Sequence, residues 1–321
     1  MGFNKDISAG PGDAGAPVRD RLMSRLHDLG DQLRGTDLQL AVLLADAVGQ
    51  QGKCFRGTLM MVAGDCLSAD PDAVLEAAVA CELVHTASLL IDDLPSMDNA
   101  TLRRGTPAFH VQHGEAAAIL GGIGLLTEAI RVIADAAPIP APLRVDLIRD
   151  LAETSGLRGL CEGQMRDLDS QKSPAGIEAE HDLKTGALFV CGFAMVGRIA
   201  GVSAELHHRL ANAGKLLGRC FQCFDDLLDV LATEAQTGKT VGRDVGPDAR
   251  RGQMAVRSVA GAVRHYHHLR SELDAALADC TLSGTDVDRL IAQVLPHSLN
   301  PGLGSENMAA EWPAEPRAAP A

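Results

Sequence analysis

An all-α fold is what this sequence predicts, and three observations carry the prediction. Apolar residues recur at helical spacing through most of the chain, no stretch reads as an alternating strand, and aromatic residues make up only 3% of the composition. β-Sandwiches and barrels draw on aromatic and β-branched side chains, so that scarcity speaks against them. The 321 residues, 46% apolar and 22% charged, have the balance of an ordinary globular chain long enough for a large core.

In chain order, residues 1–17 are rich in Gly, Ala, Pro and acid and read as a disordered tail, as do residues 303–321. One all-α domain of many long helices is expected over residues 18–302. Helices are predicted over about 18–34, 37–50 and 57–66. Asp70 followed by Pro71 is an N-cap and first-turn signal. It opens the run DAVLEAAVACELVHTASLLIDD, which meets no breaker until Pro95. Helices follow over 108–136 and 143–169, punctuated by Pro138, Pro140 and Pro142, and then over 178–200. The stretch 203–232 has apolar residues at Leu206, Leu210, Leu217, Phe221, Phe224 and Leu228, and a last helix covers 250–279. No repeat of solenoid period is visible.

Composition excludes several function classes. With 29 basic and 42 acidic side chains the net charge is −13, the wrong sign for a nucleic-acid backbone, and stacking aromatics are few. The longest charge-free apolar stretches, residues 116–127 and 185–197, fall short of the ~18–20 residues a span needs, so no membrane span is expected. The first residues lack the apolar core of a signal peptide, and the eight cysteines are irregularly spaced, as suits reduced thiols in the cytoplasm. The one C-x-x-C, Cys220 and Cys223, lies inside a helical pattern without a second pair.

Two acidic clusters stand out, Asp92-Asp93-Leu-Pro-Ser-Met-Asp98 and Asp225-Asp226-Leu-Leu-Asp229, each directly after an apolar helical stretch. Asp225 and Asp229 are i, i+4 and share a helix face with Gln222 one turn earlier. Like charges at that spacing cost ~0.2–0.5 kcal/mol on an exposed face, and more in apolar surroundings unless a cation neutralises them. Pro95 disfavours helix at Leu94, so the chain turns there and brings Asp98 round. Carboxylates without His or Cys suit a hard cation, and Mg2+ above all. Either cluster alone reads equally well as a solvated helix end. Two of them on apolar helices, with basic groups nearby, do not. Lys53 and Arg56 lie in GKCFRG, Arg103 and Arg104 follow Asp98, Lys184 and Thr185 open KTGALF, and Lys239 and Arg243 lie in GKTVGRD. Carboxylates for metal and cations for phosphate are what a diphosphate needs. TGKT at 237–240 lacks the first Gly and the strand of a P-loop, and the His265, His267, His268 tract has no acids beside it.

HTASLLIDDLPSMDNATLRRG, EGQMRDL, LKTGALF and FQCFDDLLD together make the chain, over about residues 52–244, resemble the trans-prenyl diphosphate synthases. Within them it is most similar to the bacterial geranylgeranyl diphosphate synthases of carotenoid and diterpenoid pathways. The resemblance implies an all-α fold around a central cavity, Mg2+ as cofactor, isopentenyl diphosphate and allylic diphosphates as substrates, and a homodimer. It implies that Asp92, Asp93 and Asp98, with Asp225, Asp226 and Asp229, bind metal. Lys53, Arg56, His85 and Arg104 would hold isopentenyl diphosphate. Arg103, Lys184, Thr185, Gln222, Lys239 and Arg243 would hold the allylic partner. His85 and Asp92, seven residues apart, lie on nearly one helix face, which supports part of this from geometry.

Three departures are visible. Gly52-Lys53-Cys54-Phe55-Arg56-Gly57 lacks one Arg and the Pro of the family's G-K-R-x-R-P, Gly122-Ile123 stands for Gly-Asp, and Arg243 stands for a second Lys. In similar synthases an aromatic at the Ala87 position floors the cavity and stops growth at the farnesyl stage. Here Ala87 and Ser88 are both small, which implies a geranylgeranyl product, with farnesyl as the alternative. A terpene cyclase would not need Lys53, Arg56 and His85. A non-catalytic partner subunit would have lost an aspartate motif, and both are intact.

Overall fold

The computed structural model describes residues 15–49, 52–169, 173–231 and 258–299. In chain order its helices are α1 (Ala16–Arg34), α2 (Gln39–Gly49), α3 (Phe55–Cys66), α4 (Pro71–Asp92), α5 (Phe109–His113), α6 (Glu115–Asp135), α7 (Ala141–Ser155), α8 (Leu160–Asp167), α9 (Pro174–His181), α10 (Ala187–Ile199), α11 (Ala204–Leu231), α12 (Val259–Asp279) and α13 (Asp286–Val294). A π-helical turn, Asp182–Gly186, joins α9 to α10. The all-α expectation holds. The stretch 303–321 lies outside the described residues, as does 1–14, and residues 15–17, read as part of the tail, instead begin α1, with Gly15 as its N-cap.

α4 is the axis of the core. Asp70 caps it by accepting the N–H groups of Asp72 and Ala73 at 3.0 and 2.9 Å, and Pro71 occupies the first helical position. Its side chains are buried nearly all round, against α6, α3 and α10. A helix that is apolar on every side needs such an enclosure. α10 lies against α11, and α11 against α12, while α1 packs on α2. The Arg25 guanidinium on α1 clasps Glu76 of α4 at 2.9 and 3.0 Å, tying the N-terminal helix to the axis.

Several expectations need correction. The helix expected over 108–136 is two, broken at Gly114, whose φ of 87° a side chain would resist. The helix over 143–169 is interrupted at Gly156–Gly159, and that over 178–200 contains the π turn. No strand was expected, yet Leu102–Arg103 and Thr106–Pro107 pair as a minimal antiparallel hairpin. Arg104 and Gly105 form its turn with φ of 53° and 75°, the positive-φ pair such two-residue turns require. Two-residue strands are too short for alternation to reveal. Among the described residues two helices, α4 and α6, are also long and apolar enough to cross a membrane by length and composition. The expectation from charge-free stretches stopped at every charge, whereas the apolar stretches of these helices run through Glu76 and Glu82 in α4 and through the Glu128–Arg131 ion pair in α6. α4 is accounted for as the core helix. α6 leaves Ile119, Leu120, Ile123 and Ile130 exposed. All eight cysteines are free thiols, buried except for Cys66 and Cys161.

Candidate active site

The first acidic cluster sits where α4 ends. Asp93 closes the helix with its N–H on Leu89 O, and Pro95 prevents continuation. The chain then folds back, so that Asp98 N–H donates to Asp92 O at 2.8 Å, and Asn99 and Ala100 donate to Leu94 and Asp93. The turn inferred from Pro95 is therefore present, and it sets Asp98 beside Asp92. Asp92 is partly buried, and burial, reinforced by Asp98 and Asp167 against Lys184 and Arg103, pushes its pKa up to about 6. Asp93 has a different setting. It is 3% exposed and forms an ion pair with Arg103, whose Nε lies 3.1 Å from both carboxylate oxygens. Two residues assigned to metal and to allylic diphosphate are thus joined to each other, and their bond pins the hairpin under the acidic turn.

The π turn connects the first cluster to the second. Lys184 Nζ donates to Asp167 Oδ2 at 2.5 Å. Burial works against its charge, but Asp167, Asp92 and Asp98 outweigh it and hold the ammonium above its ordinary pKa. The next residue, Thr185, donates through Oγ1 to Gln222 Oε1 at 2.7 Å, and Gln222 Nε2 donates to Asp226 Oδ1 at 2.8 Å. Buried His181 stands 3.8 Å from the other oxygen of Asp226. The backbone of this turn is gripped from two sides. A Cβ at Gly163 of α8 would lie 2.4 Å from Lys184 N, and one at Gly218 of α11 would lie 2.3 Å from Gly186 Cα. π turns recur where a helix is distorted to aim side chains. Here the distortion points Lys184 and Thr185 at the two acidic clusters.

A second basic group lies at the start of α3. Arg56 Nη1 is 3.3 Å from His85 Nε2, and its guanidinium carbon stands 4.8 Å and 5.7 Å from the ring centres of Phe189 and Phe221. Its Nε is buried without a hydrogen-bond partner among the described residues. A small cavity of about 10 Å3 between Arg56, Leu59, Met60, Phe189 and Phe193 adjoins it. Asp225 and Glu82 act on Arg56 electrostatically, which ties α3 to the second acidic cluster. Arg104 lies close by, since a Cβ at Gly52 would stand 2.8 Å from its Cζ. An orphaned buried guanidinium donor beside an imidazole is suited to an oxyanion. Ala87 is 1% exposed, and Ser88 Oγ donates to His85 O at 2.8 Å.

The structure therefore brings Asp92, Asp98, Lys184, Thr185, Gln222 and Asp226 into one connected arrangement, with Arg56, His85 and Asp225 adjoining. The side chain of Asp229, and Lys239 and Arg243 entirely, lie outside the described residues. Asp167, Glu82, His181, Phe189 and Phe221 carry part of the site without having been assigned a role. Asp167 stands in the conspicuous EGQMRDL, but its partner Lys184 is distant in sequence and the pairing is purely tertiary. Among the described residues no three His, Cys, Asp or Glu side chains stand close enough to hold a metal ion. The donor set nevertheless suits a hard divalent cation, because its groups are carboxylates and the acidic turn sets Asp98 beside Asp92.

Comparison with known proteins agrees with this chemistry. The polyprenyl synthetase family model matches residues 39–275. A geranylgeranyl diphosphate synthase of Pseudescherichia vulneris is 36% identical over 261 residues, 78% of this chain and 82% of that protein. A farnesyl diphosphate synthase of Geobacillus stearothermophilus is 38% identical over 211 residues, 64% of this chain and 71% of that protein. Among solved structures, a geranyltransferase from Helicobacter pylori complexed with magnesium and isoprenyl diphosphate superposes with a TM-score of 0.73 at 25% identity, covering 88% of this chain and 96% of that one.

Proposed function

This chain belongs to the polyprenyl synthetase family, as a trans-prenyl diphosphate synthase, and on that premise we propose that it elongates allylic diphosphates with isopentenyl diphosphate to geranylgeranyl diphosphate. The observation that carries the product length is Ala87. It precedes Asp92 by five residues, about 7.5 Å deeper along α4 at ~1.5 Å per residue, and it is a buried small side chain at the position where similar farnesyl-forming synthases carry a bulky aromatic. A second reading, farnesyl diphosphate as product, keeps its place because the relatives include farnesyl diphosphate synthases.

In the proposed reaction the allylic diphosphate lies at the acidic turn and the π turn, with Lys184, Thr185 and Gln222 as its contacts. Isopentenyl diphosphate lies against Lys53, Arg56, His85 and Arg104. Asp92, Asp98 and Asp225, with Asp226 and Asp229, would hold Mg2+, which supplies Lewis-acid charge to the departing diphosphate. Lys184 adds a fixed positive charge there, and fixed charge costs no reorganisation as the C–O bond breaks. The double bond of isopentenyl diphosphate then attacks the allylic carbon, and a proton leaves to the released diphosphate. The apolar walls around Phe189 and Phe221 exclude the water that would otherwise quench the cation. The exposed apolar face of α6 supports a homodimer.

Product analysis tests the reading. Purified protein with Mg2+, isopentenyl diphosphate and each allylic primer in turn should yield mainly the geranylgeranyl product. Accumulation of farnesyl diphosphate as the end product would overturn the chain length, and no condensation at all would overturn the reaction.

A further inference from the structure

Helix α3 starts without a cap of its own. Cys54, at its N-cap, lies in the left-handed region at φ 45° and makes no side-chain capping bond. The first N–H groups of a helix have no partner within it and need one from elsewhere. At Gly57 the partner comes from another helix. The Glu82 carboxylate of α4 accepts the Gly57 N–H at 2.7 Å, and Glu82 is only 2% exposed. The approach is close. A Cβ at Gly57 would stand 2.5 Å from Leu22 Cδ2 and 3.0 Å from Glu82 Cγ. A proline at this position could not donate the bond at all. Glu82 and His85 are one turn apart on α4, and His85 Nε2 meets the guanidinium of Arg56, the residue just before Gly57. The cap thus joins the turn that carries Lys53 and Arg56 to the helix that carries His85.

We propose that Glu82 is a positioning residue for the isopentenyl diphosphate pocket: by capping α3 from α4 it holds Arg56 against His85 before the anion arrives. The proposal rests on the assignment of Lys53, Arg56 and His85 to that pocket. Preassembly lowers the ordering cost of binding. The sign of the effect separates position from charge. A carboxylate beside an anion pocket repels a diphosphate, so by charge alone its removal would tighten binding. If the cap is what matters, removal weakens binding, and glutamine, which keeps an acceptor oxygen and drops the charge, restores it.

Calorimetric titration of the full-length chain with isopentenyl diphosphate, in Mg2+ buffer without an allylic partner, reads this without turnover. Glu82→Ala should raise Kd about tenfold, the scale of one lost charge-assisted bond, while Glu82→Gln stays within about threefold of the parent. In turnover, the KM for isopentenyl diphosphate should follow Kd, with kcat and the allylic KM almost unmoved. Should Glu82→Ala not fold, judged by thermal unfolding, Glu82→Met keeps the volume and lacks the acceptor. Unchanged or tighter binding by Glu82→Ala, beside weakened binding by Arg56→Ala, overturns the positioning role alone. Glu82→Gln binding no better than Glu82→Ala does the same. An Arg56→Ala variant that binds normally removes the pocket assignment and the proposal with it.

Discussion

The Asp92 carboxyl has its pKa held up at about 6 against an ordinary 3.8, chiefly by burial. The folded protein therefore binds this proton more tightly than the unfolded chain does. Asp92 costs the fold nothing below the unfolded value, and its penalty grows to full size as the pH rises through the folded one. In metal-free buffer at pH 7, Asp92→Asn should stabilise the protein by on the order of 1–2 kcal/mol while lowering turnover by orders of magnitude. At pH 3.5 the melting-temperature gain should vanish. A variant that melts lower at pH 7, or that turns over normally in saturating Mg2+, would refute the account. The basic residues divide by substrate. Arg56→Ala should raise the KM for isopentenyl diphosphate alone, because it removes one charge-assisted contact. Lys184→Ala should raise the allylic KM and also lower kcat, because Lys184 faces the charge that develops on the departing diphosphate. Equal effects on both substrates would show the pockets to be misassigned. The acidic clusters and their basic companions were legible in the sequence as residue types. The pairings Asp93–Arg103 and Lys184–Asp167 were not, because each depends on where a turn sends its side chains.

The π turn illustrates what single elements contribute. Its backbone is clamped where Gly163 and Gly218 permit backbone-to-backbone approach, and neither contact can yield to a methyl group by a side-chain rotation. Gly163→Ala should therefore cost about 1–3 kcal/mol and displace Lys184, seen as a lower melting temperature together with a higher allylic KM. A fully active, equally stable variant would mean that the turn is not constrained as described. On α4, Ala87→Phe should shift the product toward farnesyl diphosphate, since a close-packed interior cannot absorb a ring without filling the adjoining space. An unchanged product profile in that variant would remove Ala87 from chain-length control. Helix existence was legible from periodicity, and the Asp70-Pro71 start was right to the residue. The breaks at Gly114 and Gly156–Gly159, and the π turn, were not, because an apolar period continues across a distortion that leaves the buried face intact.

For the whole molecule the outward face of α6 matters most. Leu120 and Ile123 are 56% and 55% exposed, and Ile119 and Ile130 lie along the same side, a stripe a monomer would keep wet at a cost. If that stripe is the dimer contact, Ile123→Glu should halve the mass measured by light scattering while the helical circular dichroism is retained. A variant of unchanged mass would place the contact elsewhere.

By itself, this sequence determined the all-α class, the core helix α4, the two acidic clusters and the basic groups that answer them, since helical period, capping residues and charge placement are local properties written in order along the chain. Only the tertiary structure decided that Asp93 pairs with Arg103, that Asp167 pairs with Lys184, and that Glu82 caps a helix it does not belong to. Those contacts join residues far apart in sequence, and their geometry depends on backbone turns and close glycine approaches that no local pattern encodes.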